Sequence, residues 1–316
     1  MQSYKFIVNP VPLNKKRRKF LKRVFNRLAQ HNVEFSVEYT SKEKNAESIA
    51  RKAARENFDV VVACGGDGTI REVVNGIYKT KSALGVLPLG TSNDFALHLG
   101  INKLNKAFRR LMHGSKRKMD LGYAEFVSGG NKQKQKSLFC STSGIGFDAK
   151  MLKANKSKAF LAVKKILKKF SYSALWFLIM FNFSPTNAEI TLNKKRFRIS
   201  LFMLNANFIK SMSGLKVSPY ANINNGRFDI FLAEDASILK KILSMKWYFF
   251  MSRKIPFREV SYITGKGSIK NKFGVYDVKN FAISTEKPIE VQLNGDFVGY
   301  TPAKFKVLPR AIDIII

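Results

Sequence analysis

The sequence has few cysteines and few histidines. Its two cysteines, Cys64 and Cys140, cannot build a disulfide framework, so a reducing compartment is the simpler interpretation. The three histidines are scattered and share no ligand spacing with the cysteines. A zinc site is therefore not expected.

The sequence also lacks a long apolar run. Its most apolar stretch, residues 174–181, is far shorter than the roughly 20 residues that span a bilayer. Residues 1–11 predict a short strand and a turn instead of a signal peptide. We therefore expect a cytoplasmic protein whose contact with the inner membrane face is peripheral.

Acidic residues are scarce beside basic ones. The 316 residues include 22 Asp and Glu against 56 Lys and Arg, a formal net charge of +34. Such a charge predicts attraction to polyanions or to an anionic membrane surface. The basic run 15–19 could solvate a helix face, bind nucleic acid or, through Lys15, neutralise phosphates. No nucleic-acid motif accompanies it, so no specific nucleic-acid partner is expected, and a homodimer stays open.

The most informative stretch is residues 60–69, VVVACGGDGT, in which an apolar strand ends in glycines before a helix. Gly65, Gly66 and Gly68 let the backbone approach a polyphosphate, and the helix start favours negative charge. Asp67 would repel phosphates unless a metal ion or the phosphoryl acceptor stood between them. The alternative for Asp67 is a helix N-cap.

A second motif of this kind, residues 88–96, follows the next predicted strand and contains Thr91, Asn93 and Asp94. Strands and helices alternate over the first third of the chain, which predicts a parallel sheet with ligands at the carboxyl ends of its strands. Asp94 and Asp120 would then lie near the same cleft, although each could instead be a cap or turn residue.

The pattern changes after about Asp120 to short alternating segments with turn signals, typical of an antiparallel second domain. We expect an α/β plus mainly-β protein, with a three-layer α/β nucleotide-binding domain over residues 1–122 and an antiparallel β-sandwich over 123–304. The predicted strands of the second part are 121–127, 137–143, 188–192, 197–206, 228–233 and 289–293.

Residues 160–170 predict a helix with two different sides. One side is apolar and the other basic, the latter formed by Lys164, Lys165, Lys168 and Lys169. A basic amphipathic helix beside an aromatic run suits a membrane surface, and an ordinary surface helix has the same pattern. Both interpretations stay open, with the overall charge favouring the membrane.

These motifs together resemble the bacterial diacylglycerol kinase-like lipid kinases, a family related to sphingosine and ceramide kinases and more distantly to NAD kinases. The resemblance covers nearly the whole chain. It is carried by residues 9–10, 40, 65–69, 88–96, 118–122, 144–149, 214–221 and 294–296.

The resemblance implies that ATP binds between the two domains, that a lipid alcohol enters from the second, and that residues 305–316 return to the first. It implies that Asp67 orders Mg²⁺ and that Asp296 accepts the proton of the lipid hydroxyl; for Asp296 the alternative is a plain hairpin turn. The implied nucleotide-binding residues are Asn9, Pro10, Thr40, Gly65, Gly66, Asp67, Gly68, Thr69, Ile70, Arg71, Glu72, Thr91 and Asn93.

Three departures from the family pattern affect this site. Residues 11–13 are Val-Pro-Leu where a hydroxyl and a glycine are usual. Asp296 is one methylene shorter than the usual Glu. In the loop expected to hold a structural Mg²⁺ through Asn222, Asn225 and Arg227, Asn225 replaces an Asp, which predicts a weakened site.

The sequence therefore predicts an ATP-dependent lipid kinase that phosphorylates the hydroxyl of a diacylglycerol-like lipid. A kinase of another lipid alcohol, such as a sphingoid base, is the alternative within enzymes. A catalytically weak nucleotide- or lipid-binding relative is the alternative outside them.

Overall fold

The structure is a computed structural model that describes residues 2–41, 45–129, 133–157, 160, 171–212, 215–216, 218, 220–235 and 273–316. Apart from Phe160, the predicted basic amphipathic helix over residues 160–170 lies outside the described residues, and so do its four lysines.

The first helix spans residues 15–30, with Phe20, Val24 and Leu28 buried at helical spacing and Asn14 as its N-cap. The helices are α1 (Lys15–Gln30), α2 (Asn45–Arg55), α3 (Asp67–Ile77), α4 (Asp94–His98), α5 (Leu104–His113), α6 (Phe147–Asn155) and α7 (Ser171–Phe181).

Strands make up most of the rest of the described chain. They are β1 (Tyr4–Val8), β2 (Phe35–Tyr39), β3 (Val60–Gly65), β4 (Ala83–Pro88), β5 (Lys116–Val127), β6 (Lys134–Phe139), β7 (Thr142–Gly146), β8 (Thr186–Leu192), β9 (Lys195–Asn207), β10 (Ser211–Met212), β11 (Leu215–Lys216), β12 (Phe228–Glu234), β13 (Phe273–Val278), β14 (Asn280–Thr285), β15 (Glu290–Leu293) and β16 (Asp296–Ile315).

The first four strands form the predicted parallel sheet, in the order β2-β1-β3-β4. All of the residues of β1, β3 and β4 are buried, as expected for strands covered by helices on both faces. Helices α2 and α3 pack together through Gly76, where an added methyl group would lie 2.6 Å from Cβ of Ala50. Helices α1 and α5 line a common groove.

The second part of the chain is antiparallel, and its strand pairings close on themselves. The circuit runs β7-β15-β16-β14-β8-β9 and back to β7. Two long strands make this possible, because β9 pairs with β8 along its first half and with β7 along its second, while β16 pairs with β15 and then with β14. The prediction of an α/β part and an antiparallel β-rich part is confirmed.

One predicted strand is wrong. The sequence pattern indicates a single strand over residues 137–143, but the structure has β6 and β7 separated by Cys140 and Ser141. The N–H groups of both residues donate to Oδ1 of Asn294, at 3.1 Å each. A distant side chain therefore takes the two donors that a continuous strand would have used in its ladder.

The end of the chain returns to the first sheet. Strand β16 pairs along β5 and, at Ile314, lies parallel to Leu84 of β4. The division into units of 1–122 with 305–316 and of 123–304 stays a prediction. Within the described residues, no helix combines the length and the apolar character that crossing a membrane requires.

Candidate active site

The loops that follow the parallel strands meet at one edge of the sheet. The register aligns Val8 of β1 with Tyr39 of β2 and with Cys64 of β3, and Gly65 with Pro88 of β4. The residues that come next in the loops are therefore neighbours. They are Thr40, Asn9, Gly66 and Leu89.

The two glycine motifs contact each other through their backbones. The N–H groups of Leu89 and Gly90 both donate to the carbonyl of Gly65. A methyl group added to Gly90 would lie 3.0 Å from the backbone nitrogen of Gly66, so this approach needs glycine. Gly66 is also the N-cap of α3 and has no side chain to accept the first N–H groups of that helix. This geometry suits a phosphate group.

The carboxylate of Asp67 connects the two motifs. Its Oδ2 accepts the N–H of Asp94 at 3.1 Å, and its Oδ1 accepts the N–H of Phe95 at 3.0 Å. Asp67 thus caps α4 instead of the helix that it begins. Burial raises the pKa of Asp67 to about 6, although the two N–H groups favour the ionised form.

The second motif is held by Asn93. This residue adopts a left-handed conformation, with φ of 52°, and its amide both accepts from the N–H of Gly90 and donates to the carbonyl of Gly90. Thr91 is exposed within the turn that results. Asp94 begins α4 beside the carboxylate of Asp67.

The loop after β1 lies against the first motif. The amide of Asn9 donates to the hydroxyl of Thr69 at 3.3 Å and accepts the N–H of Val11. The carbonyl of Pro10 accepts the N–H of Leu13. This loop is therefore tied to the glycine motif although it lacks the family's hydroxyl and glycine.

The side chains of two residues of the predicted nucleotide-binding set contact other parts of the protein. Ile70 is fully buried, and its N–H donates to the carbonyl of Gly66. The carboxylate of Glu72 accepts the N–H of Ala46 in the first turn of α2, at 3.1 Å. Their side chains support the two helices that flank the cleft.

Asp296 lies over the glycine motif. Its carboxylate is 2.9 Å from Nζ of Lys156 and 3.4 Å from a guanidinium nitrogen of Arg71. A methyl group added to Gly68 would overlap Oδ2 of Asp296. The shorter side chain therefore still brings its carboxylate to the backbone of the first motif.

A two-residue turn carries Asp296 to this position. Asn294 and Gly295 have φ values of 50° and 80°, and Leu293 pairs with Asp296, which is the hairpin chemistry expected of Asn-Gly. Asn294 is buried, and its amide donates to the carbonyl of Asp67 at 3.3 Å. The hairpin turn and the placement of an acid in the cleft are thus one feature.

Asp120 joins two backbone segments. Its oxygens accept the N–H of Gly226 at 2.6 Å and the N–H of Arg310 at 2.8 Å. Nearby, the amide oxygens of Asn222 and Asn225 accept local N–H groups, and Arg227 pairs with Asp277. Because Asn222 and Asn225 offer neutral amide oxygens and no negative charge, a weak magnesium site at this loop stays a prediction.

Two residues of the site were not predicted from the sequence. Lys156, at the end of α6, contacts Asp296. Arg17 donates to the carbonyls of Pro12 at 2.6 Å and Gly90 at 2.9 Å, which joins the first loop to the second motif. The sequence signal for Arg17 is its place in the basic run 15–19.

The chemistry of the cleft fits a nucleoside triphosphate. Backbone N–H groups at glycine turns, an uncapped helix start and the guanidinium of Arg71 all favour phosphate. Among the described residues there is no cluster of three or more His, Cys, Asp or Glu side chains that would hold a metal alone. Mg²⁺ bound by one or two carboxylates and by phosphate oxygens needs no such cluster, and Asp67 fits that role.

Comparison with known proteins finds similarity to diacylglycerol kinases. Residues 3–124 match the model of the diacylglycerol kinase catalytic domain. A diacylglycerol kinase of Bacillus subtilis is 27% identical over 322 aligned residues that cover 100% of this chain and 96% of that protein. A diacylglycerol kinase of Staphylococcus aureus (strain MRSA252) is 26% identical over 317 residues, which cover 98% of this chain and 91% of that protein.

Solved structures show the same fold. The crystal structure of a diacylglycerol kinase from Bacillus anthracis has a TM-score of 0.70 at 19% identity and covers 99% of this chain and 96% of that one. Yeast NADH kinase has a TM-score of 0.50 at 12% identity, covering 99% and 82%. The solved structures show the fold, whereas the kinase activity is supported by the match of residues 3–124 to a diacylglycerol kinase catalytic domain and by the similarity of the whole chain to bacterial diacylglycerol kinases.

Proposed function

We propose that this kinase transfers the γ-phosphoryl group of ATP to the hydroxyl of a diacylglycerol-like lipid. The observation that carries the proposal is the contact between Asp296 and Gly68. It brings a carboxylate, the group that can accept a hydroxyl proton, against a glycine turn suited to phosphates. The names of the relatives, which are diacylglycerol kinases, support the acceptor.

In this reaction the lipid oxygen forms a bond to the γ-phosphorus, and the bond from that phosphorus to the bridging oxygen of ADP breaks. Asp296 accepts the hydroxyl proton. Arg71 and Lys156 hold the carboxylate of Asp296 in place, and the N–H groups at Gly66 and Gly68 orient the phosphates. Mg²⁺, when bound near Asp67, would neutralise charge on the phosphate oxygens.

The test is an assay with γ-labelled ATP and vesicles that contain, in turn, diacylglycerol, a sphingoid base and other lipid alcohols. We expect label in the diacylglycerol product and a loss of about 10²-fold or more in kcat for Asp296→Asn, because the amide cannot accept the proton. Asp59→Asn is the matched control, since among the described residues the hydrogen bonds of the Asp59 side chain go to Ser3. Labelling of the sphingoid base alone would show that the acceptor is a sphingoid base and not diacylglycerol. ATP binding without phosphate transfer to any lipid would refute the proposal.

We also propose that α7 docks the enzyme on the lipid surface. Three apolar side chains of this helix are exposed, Phe177 by 49%, Leu178 by 62% and Phe181 by 63%. The other side of the helix packs in a hydrophobic cluster with α6 residues. Lys156 directly follows α6 and reaches Asp296, so an acceptor lipid taken up at α7 would enter close to the proton acceptor.

Vesicle sedimentation tests this surface. We expect Leu178→Glu with Phe181→Glu to weaken binding to anionic vesicles by about 10-fold or more, because two charges would have to leave water with the helix. Leu97→Glu is the control, as it changes an exposed apolar residue on another helix. Equal binding by the wild type and the α7 variant would rule out the docking role.

A further inference from the structure

A buried polar row crosses three strands of the antiparallel part. Asn205 of β9 pairs with Gly144 of β7, which pairs with Gln292 of β15, so the three residues share one face of the sheet. Asn205 and Gln292 are fully buried. The carboxyl group of Asp148, in the first turn of α6, lies over the middle of this row, because a methyl group added to Gly144 would overlap it.

Hydrogen bonds connect Asp148 to the turn that carries Asp296. Oδ2 of Asp148 accepts from Nδ2 of Asn205 at 2.6 Å and from Nε2 of Gln292 at 3.2 Å. The other end of the Gln292 amide, Oε1, accepts the N–H of Gly295 at 2.9 Å. Gln292 is therefore oriented by Asp148 and in turn holds the residue next to Asp296.

Helix α6 and its C-cap residue Lys156 are attached to the same hairpin at two further points. Nζ of Lys153 donates to Glu290 at 3.1 Å and to the hydroxyl of Tyr300 at 2.6 Å, and Lys156 contacts Asp296. Asp148 is the only one of the three α6 contacts that acts through a buried amide. Together they fix how α6 lies along the β15–β16 hairpin.

Burial of the Asp148 carboxyl group carries a cost. Its Oδ1 is buried and has no hydrogen-bond partner among the described residues, and the same is true of Oδ1 of Asn205. Burial raises the pKa of Asp148 to about 6. A buried carboxylate with an unsatisfied oxygen does not add to stability, which favours a role in orientation.

We propose that Asp148 is a positioning residue that acts through Gln292 to hold the Asn294-Gly295 turn, and with it Asp296, over the glycine motif. It touches neither nucleotide nor lipid in this role. The role rests on the proposed function, because orientation of Asp296 matters for catalysis only if Asp296 accepts the proton. The hydrogen-bonded path itself is independent of that reaction.

The activity test compares Asp148→Ala, which removes the oxygen that accepts from Gln292, with Gln292→Met and the double variant. Each single change is expected to lower kcat about 10-fold, with KM for ATP within about twofold of wild type, because a displaced acid slows the chemical step without altering the phosphate turns. The double variant is expected to lose no more than the worse single one, since both break the same path. Losses that multiply to about 100-fold, or a change confined to KM, would overturn the proposal.

Hydrogen exchange at the Gly295 amide provides a test without turnover. We expect this amide to be protected in the wild-type chain and to exchange at least about 10-fold faster in Asp148→Ala, while Asp59→Asn leaves it unchanged. An unprotected Gly295 amide in the wild type, or equal exchange in wild type and Asp148→Ala, would refute the path. If no lipid accepts phosphate but the exchange behaves as expected, the proposed function fails and the path stands.

Discussion

Asp67→Ala is expected to lower kcat/KM for lipid phosphorylation by about 10³-fold and to destabilise the fold by about 2 kcal/mol. The side chain accepts the N–H groups of Asp94 and Phe95, and both donors would be left without their acceptor. The second glycine motif would then lose its attachment to the first. Label-transfer kinetics and urea unfolding measure the two effects.

Asp67→Asn separates the two roles of this carboxylate. The amide oxygen can still accept one of the two N–H groups, so we expect part of the lost stability to return. Activity should stay low, because the amide brings no charge to a metal ion beside the phosphates. If activity returned in proportion to stability, Asp67 would serve as a helix cap alone.

The pH dependence of stability provides a further check on Asp67. Its folded-state pKa of about 6 lies above the unfolded value, so the folded chain binds more protons between about pH 4 and 6. The contribution of this group to the free energy of unfolding therefore falls as pH rises through that window. Asp67→Asn should remove that part of the slope, whereas Asp148 and Asp229, whose pKa values are also raised to about 6, would keep theirs.

The loops of the cleft could be predicted because their position follows from local pattern. Glycines directly after a buried strand lie at its carboxyl end, and parallel strands place those ends at one edge. The contact of Gly66 with Gly90 follows from that geometry once the strands are neighbours. The Asn294-Gly295 turn was predictable for a similar reason, since the two residue types select the turn.

Contacts between residues far apart in sequence could not be predicted in this way. Lys156 and Asp296 are 140 positions apart, Arg17 and Gly90 are 73 apart, and nothing in the local pattern pairs them. The break between β6 and β7 has the same origin, because it depends on the side chain of Asn294. Long flexible cations on helices have many possible partners, and only the tertiary fold selects one.

The implied nucleotide set includes residues 69–72, which lie in the first half of α3. Their side chains therefore point in different directions around the helix axis. Arg71 faces Asp296, Ile70 enters the core, and Glu72 reaches α2. Helical periodicity would have separated these three residues.

Gly144→Ala is expected to produce the largest loss of stability, about 3 kcal/mol or more, and a drop in Tm of roughly 10 °C. The added methyl group would overlap the carboxylate of Asp148 and lie 2.7 Å from Nδ2 of Asn205. Neither neighbour can move away freely, because Asp148 is bonded to both Asn205 and Gln292. Thermal and urea unfolding measure the effect.

Two further variants test whether this clash is the cause. Ser143→Ala changes the preceding residue, whose buried hydroxyl has no partner among the described residues, and should leave stability within about 0.5 kcal/mol of wild type. Gly144→Ala combined with Asp148→Ala should be more stable than the sum of the single effects predicts, because removal of the carboxylate makes room for the methyl group. Additive effects would mean that position 144 requires glycine for its backbone conformation. They would contradict a clash between the added methyl group and Asp148.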